Sequence, residues 1–279
     1  MRLIKFIIFS IGFVFIFISC ENKLNDNSNF DSILKAGTSS SDYSKGTNST
    51  RLVSYNVRHC EGMDNIINYD RIANIIDSLH PDVVCLQELD SVTTRSNKID
   101  QLKMLGNKTG MRYYFGSARS YQEGKYGIGI LSKEDAISVS SYALPGSEEV
   151  RTVLVAEFSS YIVMCTHLSL TEVDRVTSVG ILTQLAKTYK KNIYLAGDFN
   201  EPNRYGSVFK AFFNDWNQVS TILNTFSTSG PSECIDYVLS YKTGGQNYQT
   251  IKTNVVYNLA NMSVSNATDH YPIFVDFIK

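Results

Sequence analysis

The pattern of apolar and polar positions changes period several times along the chain, and each change marks an element. Leu52-Val53-Ser54-Tyr55-Asn56-Val57 alternates as a strand does, with Ser54 and Asn56 on one face and Val53, Tyr55 and Val57 on the other. Ile72, Ile75, Ile76 and Leu79 then recur at helical spacing, and Pro81 follows their last turn. A second apolar run, Val83 to Leu86, closes on Gln87 and Glu88. Strand, helix and strand within about 35 residues is the signature of a βαβ unit. Downstream, the spacing predicts a helix over Leu102 to Lys108 stopped by Gly110, and a short strand over Tyr126 to Leu131. Val153 to Phe158 and Tyr161 to Cys165 read as a hairpin across Ser159-Ser160. A helix from about Glu172 to Tyr189 leads to the run Tyr194-Leu195-Ala196-Gly197-Asp198-Phe199-Asn200. Ser207 is placed to cap a short helix with a face of Phe209, Phe212, Phe213 and Trp216, which makes the single tryptophan core. Further strands are predicted over Cys234 to Leu239, Val255 to Leu259 and Ile273 to Ile278. Because hairpins are interspersed among alternating strands and helices, the fold class is α/β with mixed sheets covered by helices, not a pure parallel sheet.

The chemistry-bearing residues fall at the ends of these strands. In an extended segment Asp198 and Asn200 share one face while Phe199 packs inward. Such a pair suits phosphoryl transfer: the carboxylate aligns or deprotonates a water, and the carboxamide donates to an oxygen gaining charge. Taken alone, the run reads more readily as a strand entering a turn. What changes the picture is that Asn56, Glu88, His167 and Asp269-His270 also lie at or near predicted strand ends, where α/β folds build their sites. Acids, amides and imidazoles at one rim are what a hard-cation phosphoryl-transfer site requires.

Residues 1–19 stand apart from the fold. Arg2 and Lys5 precede an uncharged run, Phe6 to Ser19, that is shorter than the ~20 apolar residues needed to cross a bilayer. A basic start, a short apolar core and a small residue before a cysteine read as a secretory signal. Ile18-Ser19-Cys20 resembles a bacterial lipobox, which implies cleavage before Cys20, lipidation of its thiol, and an exported protein anchored to a bacterial membrane. Removing residues 1–19 takes away Arg2 and Lys5 and moves the formal charge from −1 to −3. That balance gives no overall attraction for a polyanion and weighs against DNA as the substrate. Residues 20–50 are polar and broken, and read as a tether behind the lipidated cysteine, with residues 51–279 as one domain. Cys60, Cys85, Cys165 and Cys234 are expected as free thiols, since two sit in apolar runs and a domain of this length needs no staples.

Six short segments carry a resemblance. Ser54-Tyr55-Asn56-Val57, Leu86-Gln87-Glu88, Thr166-His167-Leu168, Gly197-Asp198-Phe199-Asn200, Ile235-Asp236-Tyr237-Val238 and Asp269-His270 occur in the order found in the endonuclease/exonuclease/phosphatase superfamily. The chain resembles that group, which includes DNase-I-like nucleases, abasic-site endonucleases, bacterial sphingomyelinases and inositol polyphosphate phosphatases. The resemblance implies a four-layer α/β sandwich, two mixed β-sheets packed face to face with helices outside. It implies that Glu88 is the principal Mg²⁺ ligand, with Asn56 beside it and Asp269 near or on the metal; Mn²⁺ is an alternative ion. It further implies that Asp198 orients or activates the water, Asn200 binds phosphoryl oxygens, and His270, oriented by Asp236, stabilises charge or moves a proton. His167 becomes a second imidazole facing the phosphate.

A narrower likeness to exported bacterial members rests on Glu88-Leu89-Asp90, Thr94-Arg95-Ser96, Asp100-Gln101, Thr109-Gly110-Met111, Tyr126-Gly127 and Leu131-Ser132. The usual Tyr-Gly-Asn-Ala appears here as Tyr126-Gly127-Ile128-Gly129, without the asparagine. Arg95 and Arg151 are nominated as anion contacts and Tyr126 as a third substrate-binding residue; surface ion pairs explain the two arginines equally well. His59 and His80 are read as structural donors, with the lesser alternative that the loop carrying His59 and Asp64 reaches the site. The expectation is a monomeric phosphoesterase without a protein partner, acting on a phosphorylated small molecule, a lipid headgroup or a nucleic acid. Nuclease, sphingomyelinase-like phospholipase and non-catalytic ligand-binding lipoprotein remain as rivals on the same fold.

Overall fold

Strand β1 (Thr50–Asn56) and strand β2 (Val83–Ser91) run parallel, Leu52 opposite Val83 and Asn56 opposite Gln87, with helix α1 (Tyr69–Ser78) crossing between them. This is the βαβ unit that the periodicity predicts. The computed structural model describes residues 43–242 and 249–278. Asn68 caps α1 by accepting from Arg71 N at 3.0 Å, and the buried stripe is Ile72, Ala73, Ile75 and Ile76. Helix α2 (Gln101–Thr109) is capped by Asp100 and ends at Gly110 with φ 66°, a left-handed turn that glycine adopts without a Cβ clash.

Strands β3 (Arg112–Tyr121) and β4 (Gly124–Ser132) extend this sheet on one side, and β11 (Thr250–Val255) and β12 (Ile273–Phe277) on the other, in the order β11-β12-β1-β2-β4-β3. The second sheet is ordered β5-β6-β7-β8-β10-β9. Its members are β5 (Ser138–Leu144), β6 (Arg151–Glu157), β7 (Tyr161–His167), β8 (Asn192–Asp198), β9 (Trp216–Gln218) and β10 (Asp236–Tyr241). Each sheet has one parallel central pair, β1 with β2 and β7 with β8, flanked by antiparallel neighbours. Helices α3 (Glu172–Lys187) and α4 (Ser207–Asp215) cover the outer face of the second sheet, and a short α5 (Val264–Ala267) precedes β12.

The two inner faces meet in one core. Tyr194 of β8 stacks on Phe277 of β12 with centroids 4.0 Å apart, and Tyr161 of β7 meets the same ring at 5.7 Å. Val163 and Cys165 point into this layer while Ile162 and Met164 point out under α3 and α4. Both faces of the central strands are therefore buried, which is why they read as apolar runs with little alternation. This is the expected four-layer α/β sandwich, and Cys60, Cys85, Cys165 and Cys234 are buried free thiols within it. Among the described residues no helix is long and apolar enough to cross a membrane.

Several element boundaries differ from the expectation. β3, β5 and β9 had no sequence signal because all are sheet edges, and β5 is exposed along most of its length. The strand expected over Val255 to Leu259 lies at β11 instead, because its ladder with β12 stops at Val255 opposite Ile273, beside Pro272, which has no N–H to continue it. Gly206, not Ser207, is the N-cap of α4, and the Ser207 hydroxyl donates to Glu172. Trp216 is fully buried but opens β9, where its indole N–H donates to Thr183 Oγ1 at 2.9 Å; Phe213 is 37% exposed. The packed domain also begins earlier than residue 51. Tyr43 is buried against Phe274, and the buried Arg51 guanidinium, paired with Asp276, donates to the carbonyls of Tyr43 and Leu79. Residues 1–42, on which the expected signal, anchor and most of the expected tether fall, lie outside the described residues.

Candidate active site

The parallel strands β1, β2, β7 and β8 end at the same edge of the sandwich at which the antiparallel β10 and β12 begin. That topology delivers Asn56 from the end of β1, Glu88 from β2, and His167 and Asp198 from the ends of β7 and β8. Asp236 opens β10 opposite Asp198, and Asp269-His270 precede β12. His167 and Asp198 are register partners across the β7–β8 ladder. Glu88, His167, Asp198, Asn200, Asp269 and His270, with Arg95, Arg151 and Tyr126, all line one cavity of about 650 Å³. His59 lines it as well, whereas Asp64 is held on the surface by Arg71 at 2.8 Å.

Local structure aims these groups. The β2–β4 register slips between Leu86 and Leu89, and Glu88 sits in the left-handed region with φ 58°. A bulge of this kind turns a side chain away from the alternation of its strand, here toward the strand-end cavity. Gly197 lies against β7 so closely that a Cβ would come within 2.0 Å of the Thr166 carbonyl oxygen. The glycine of the Gly-Asp-Phe-Asn run thus permits the close β7–β8 contact that sets His167 beside Asp198. Asn200 is not an extension of β8: the strand ends at Asp198, and Asn200 turns left-handed at φ 50°. The shared-face premise for Asp198 and Asn200 therefore fails, and an Asx turn replaces it. Asp198 Oδ1 accepts from Asn200 N at 2.9 Å, and the Asn200 amide nitrogen donates to the Leu168 carbonyl, also at 2.9 Å. Phe199 does pack inward, onto Phe212 and Tyr237.

At the centre stands a chain of buried polar groups. Asn56 Nδ2 donates to Glu88 Oε1 at 3.0 Å and to Asp198 Oδ2 at 3.1 Å. His270 Nδ1 is 2.9 Å from Asp236 Oδ2, and its Nε2 is 3.6 Å from Asp198 Oδ2. His167 Nε2 lies 3.5 Å from the same Asp198 oxygen. Burial drives Asp198 upward and the nearby Asp236 adds to it, against His270 and two hydrogen bonds, so its pKa reaches about 7. For His270 burial works downward, but the charges of Asp236 and then Asp198 outweigh it and push the imidazole up to about 10. His167 moves the other way: burial, then the charges of Arg151 and His270, hold it well below the ordinary histidine value. The two imidazoles are therefore set in opposite states at neutral pH, one protonated and one neutral.

Two groups bear on metal binding. The ligand atoms of Asp198, Asp236 and His270 lie within 4.8 Å of one another, a separation that an ion can bridge. Yet His270 Nδ1 already faces Asp236 at hydrogen-bond distance, so this trio is better suited to holding a proton. Glu88 and Asp269 offer hard oxygen donors instead, whereas Asn56, expected as a ligand beside Glu88, turns its amide nitrogen toward that acid while its Oδ1 accepts from Arg58 N at 3.1 Å. Burial and the charge of Asp269 raise Glu88 against the hydrogen bond from Asn56, so two carboxylates repel each other at the cavity wall. A divalent cation relieves that repulsion, and oxygen donors with open positions fit Mg²⁺ or Mn²⁺.

The sequence did not point to Arg119, Tyr121, Glu149 or Phe226. Arg119, Glu149 and Phe226 line the cavity, and Phe226 packs its ring 4.8 Å from His270. Arg119 and Tyr121 lie on the edge strand β3, which left no apolar run in the sequence to mark it. Arg95 is engaged by the buried Asp90, its Nε and Nη2 donating at 2.7 and 2.9 Å.

Comparisons with known proteins bear on the family and the fold. The model of the endonuclease/exonuclease/phosphatase family matches residues 53–247. Among curated proteins nothing matches the sequence. Similar solved structures include an endonuclease/exonuclease/phosphatase from Beutenbergia cavernae, 18% identical with TM-score 0.64, covering 82% of this chain and 71% of that one. A mannosyl-6-phosphatase from Bacteroides thetaiotaomicron is 17% identical with TM-score 0.66, covering 83% of this chain and 100% of the other. D. rerio TDP2 complexed with single-strand DNA product is 18% identical with TM-score 0.60, covering 82% and 98%. At these identities the likeness establishes the shared fold.

Proposed function

Because the chain belongs to the endonuclease/exonuclease/phosphatase family, we propose that it is a divalent-metal-dependent phosphoric ester hydrolase that cleaves by in-line attack of water. The observation that carries this reading is the convergence of Glu88, His167, Asp198, Asn200, Asp269 and His270 on one cavity. A Mg²⁺ or Mn²⁺ ion held by Glu88 and Asp269, with the Asn56 amide beside Glu88, would supply charge neutralisation at the phosphoryl oxygens.

The chain's own residues do the rest. Asp198 accepts a hydrogen bond from the attacking water, aligns it, and takes its proton as the P–O bond forms; that proton passes to solvent, and the departing oxygen takes one in turn. His270, held as an imidazolium by Asp236, donates toward the phosphoryl oxygens as they gain charge. Neutral His167 supplies a second N–H on the other side of Asp198. Asn56 ties the water-aligning acid to the metal-binding acid through one amide, which fixes the distance between them. No side chain needs to form a covalent intermediate. Residues 1–19 act in this reading as an export signal and Cys20 as a lipid-anchored cysteine on a bacterial membrane; the Cys20→Ala protein is then expected in the soluble fraction.

Purified protein with Mg²⁺ or Mn²⁺ is expected to hydrolyse bis(4-nitrophenyl) phosphate or 4-nitrophenyl phosphate. Glu88→Ala and His270→Ala should each lower the rate by about 10²–10⁴-fold, the usual range for removing a charge-stabilising or proton-transferring group. Wild-type activity in both variants would overturn the assignment.

A further inference from the structure

One wall of the cavity is not used by the chemistry above. Arg119 comes from β3, Arg151 from the start of β6, and Glu149 from the loop before it. Arg119 Nε lies 3.0 Å from Glu149 Oε1, and Arg151 Nη2 lies 3.8 Å from Glu149 Oε2. One carboxylate faces two guanidiniums, leaving a net positive charge, and three of the atoms go without a hydrogen bond: Arg119 Nε, Arg151 Nε and Glu149 Oε1 are all buried and lack a partner. Arg151 is only 5% exposed. Leaving a buried guanidinium N–H unmade is costly, and the fold does satisfy an arginine nearby, in the two-bond fork between Arg95 and Asp90. Arg119 is also oriented, its Cζ 4.6 Å from the Tyr121 ring centre and 5.3 Å from that of Tyr126.

We propose that Arg119 and Arg151 form a second anion seat, filled in this structure by Glu149, and that the substrate is a small molecule bearing a second phosphate beside the one cleaved. The cleavage part rests on the phosphoesterase reading; the seat does not. A carboxylate already sits between the two guanidiniums and leaves the Nε–H of each unpaired. A phosphate offers a third oxygen and a tetrahedral spread, which suits donors arriving from two different strands. A cavity of about 650 Å³ is the size of a small-molecule site. Glu149 is on a surface loop, from which its side chain can turn out to solvent.

The test is titration calorimetry of the full domain in EDTA with methylphosphonate, methylenediphosphonate and a single-stranded oligonucleotide. Methylenediphosphonate is expected to bind at least about tenfold more tightly than methylphosphonate, the gain from adding a second charge-assisted contact set. Arg119→Gln should abolish that preference, and Glu149→Gln should tighten methylenediphosphonate about fivefold by removing the resident carboxylate. Glu233→Gln, the same charge change elsewhere on the cavity wall, should not tighten it. Equal affinity for the two phosphonates, no binding of either, or equal tightening by Glu233→Gln overturns the seat. Salt-sensitive oligonucleotide binding that Arg119→Gln abolishes, with no phosphonate preference, overturns the small-molecule assignment. Hydrolysis of bis(4-nitrophenyl) phosphate and of 4-nitrophenyl phosphate, run in parallel with metal, separates the two readings. Phosphonate preference without hydrolysis removes the phosphoesterase but keeps the seat, and hydrolysis without preference does the reverse.

Discussion

The behaviour of the site is decided by single oxygens and nitrogens. Asp198 Oδ2 is approached by Asn56, His167 and His270, yet the two imidazoles differ because Asp236 stands behind only one of them. Asp236 is therefore a positioning residue. Asp236→Asn is expected to keep the fold and lower kcat by about 10²-fold or more, since an amide supports neither the imidazolium nor its orientation; kcat beside a circular-dichroism melt checks this. His167 carries a consequence for stability. Its folded pKa lies below the unfolded value of about 6.5, so below that pH the unfolded chain takes a proton that the native protein refuses. Stability from this group is complete above pH ~6.5 and falls as the pH drops, by at most about 1.4 kcal/mol per unit. His167→Gln should flatten the slope of unfolding free energy between roughly pH 6.5 and 5 relative to wild type; an unchanged slope in urea titrations would show that the imidazole protonates in place. In the sequence these residues were legible as types at strand ends. Their protonation states were not, because burial and the second carboxylate come from elements far apart in the chain.

At the level of elements, the central strands were readable and the edges were not. β2, β7, β8, β10 and β12 are buried on both faces and left dense apolar runs in the sequence, and β1 left an alternating one, while β3 and β5 face solvent and left none. The cost of that gap was functional: Arg119 and Tyr121 of the second anion seat lie on β3. The bulge at Glu88 and the Asx turn at Asn200 were equally unreadable, since a register slip belongs to a pair of strands rather than to one. Gly197 shows the converse, a motif glycine whose reason is wholly tertiary. With a Cβ to be placed 2.0 Å from the Thr166 carbonyl, Gly197→Ala must push β8 off β7. The expected loss is about 2–3 kcal/mol, the range for overpacking, with a larger loss of activity than of stability because Asp198 is the next residue. Urea midpoints and kcat measured on the same preparation test both halves of that statement.

At the scale of the whole molecule, the described residues form two six-stranded sheets pressed together, and the four thiols among them are buried. Burial pushes the Cys234 thiol up to about 12, and Cys60 and Cys85 also rise by burial. A thiol-specific disulfide reagent at pH 8 is expected to leave Cys60, Cys85, Cys165 and Cys234 unmodified in the native protein and to modify all four in denaturant. Rapid labelling of the native domain would contradict the packing. The sequence by itself determined the class of fold, the βαβ start, the order of the strand-end motifs and their chemistry, because these follow from local periodicity and from residue types. Only the tertiary structure decided which acid pairs with which imidazole, that Tyr43 belongs to the domain, and that two arginines meet over one glutamate. Each of those facts depends on the register and packing of segments many tens of residues apart, which no local pattern of apolar and polar positions encodes.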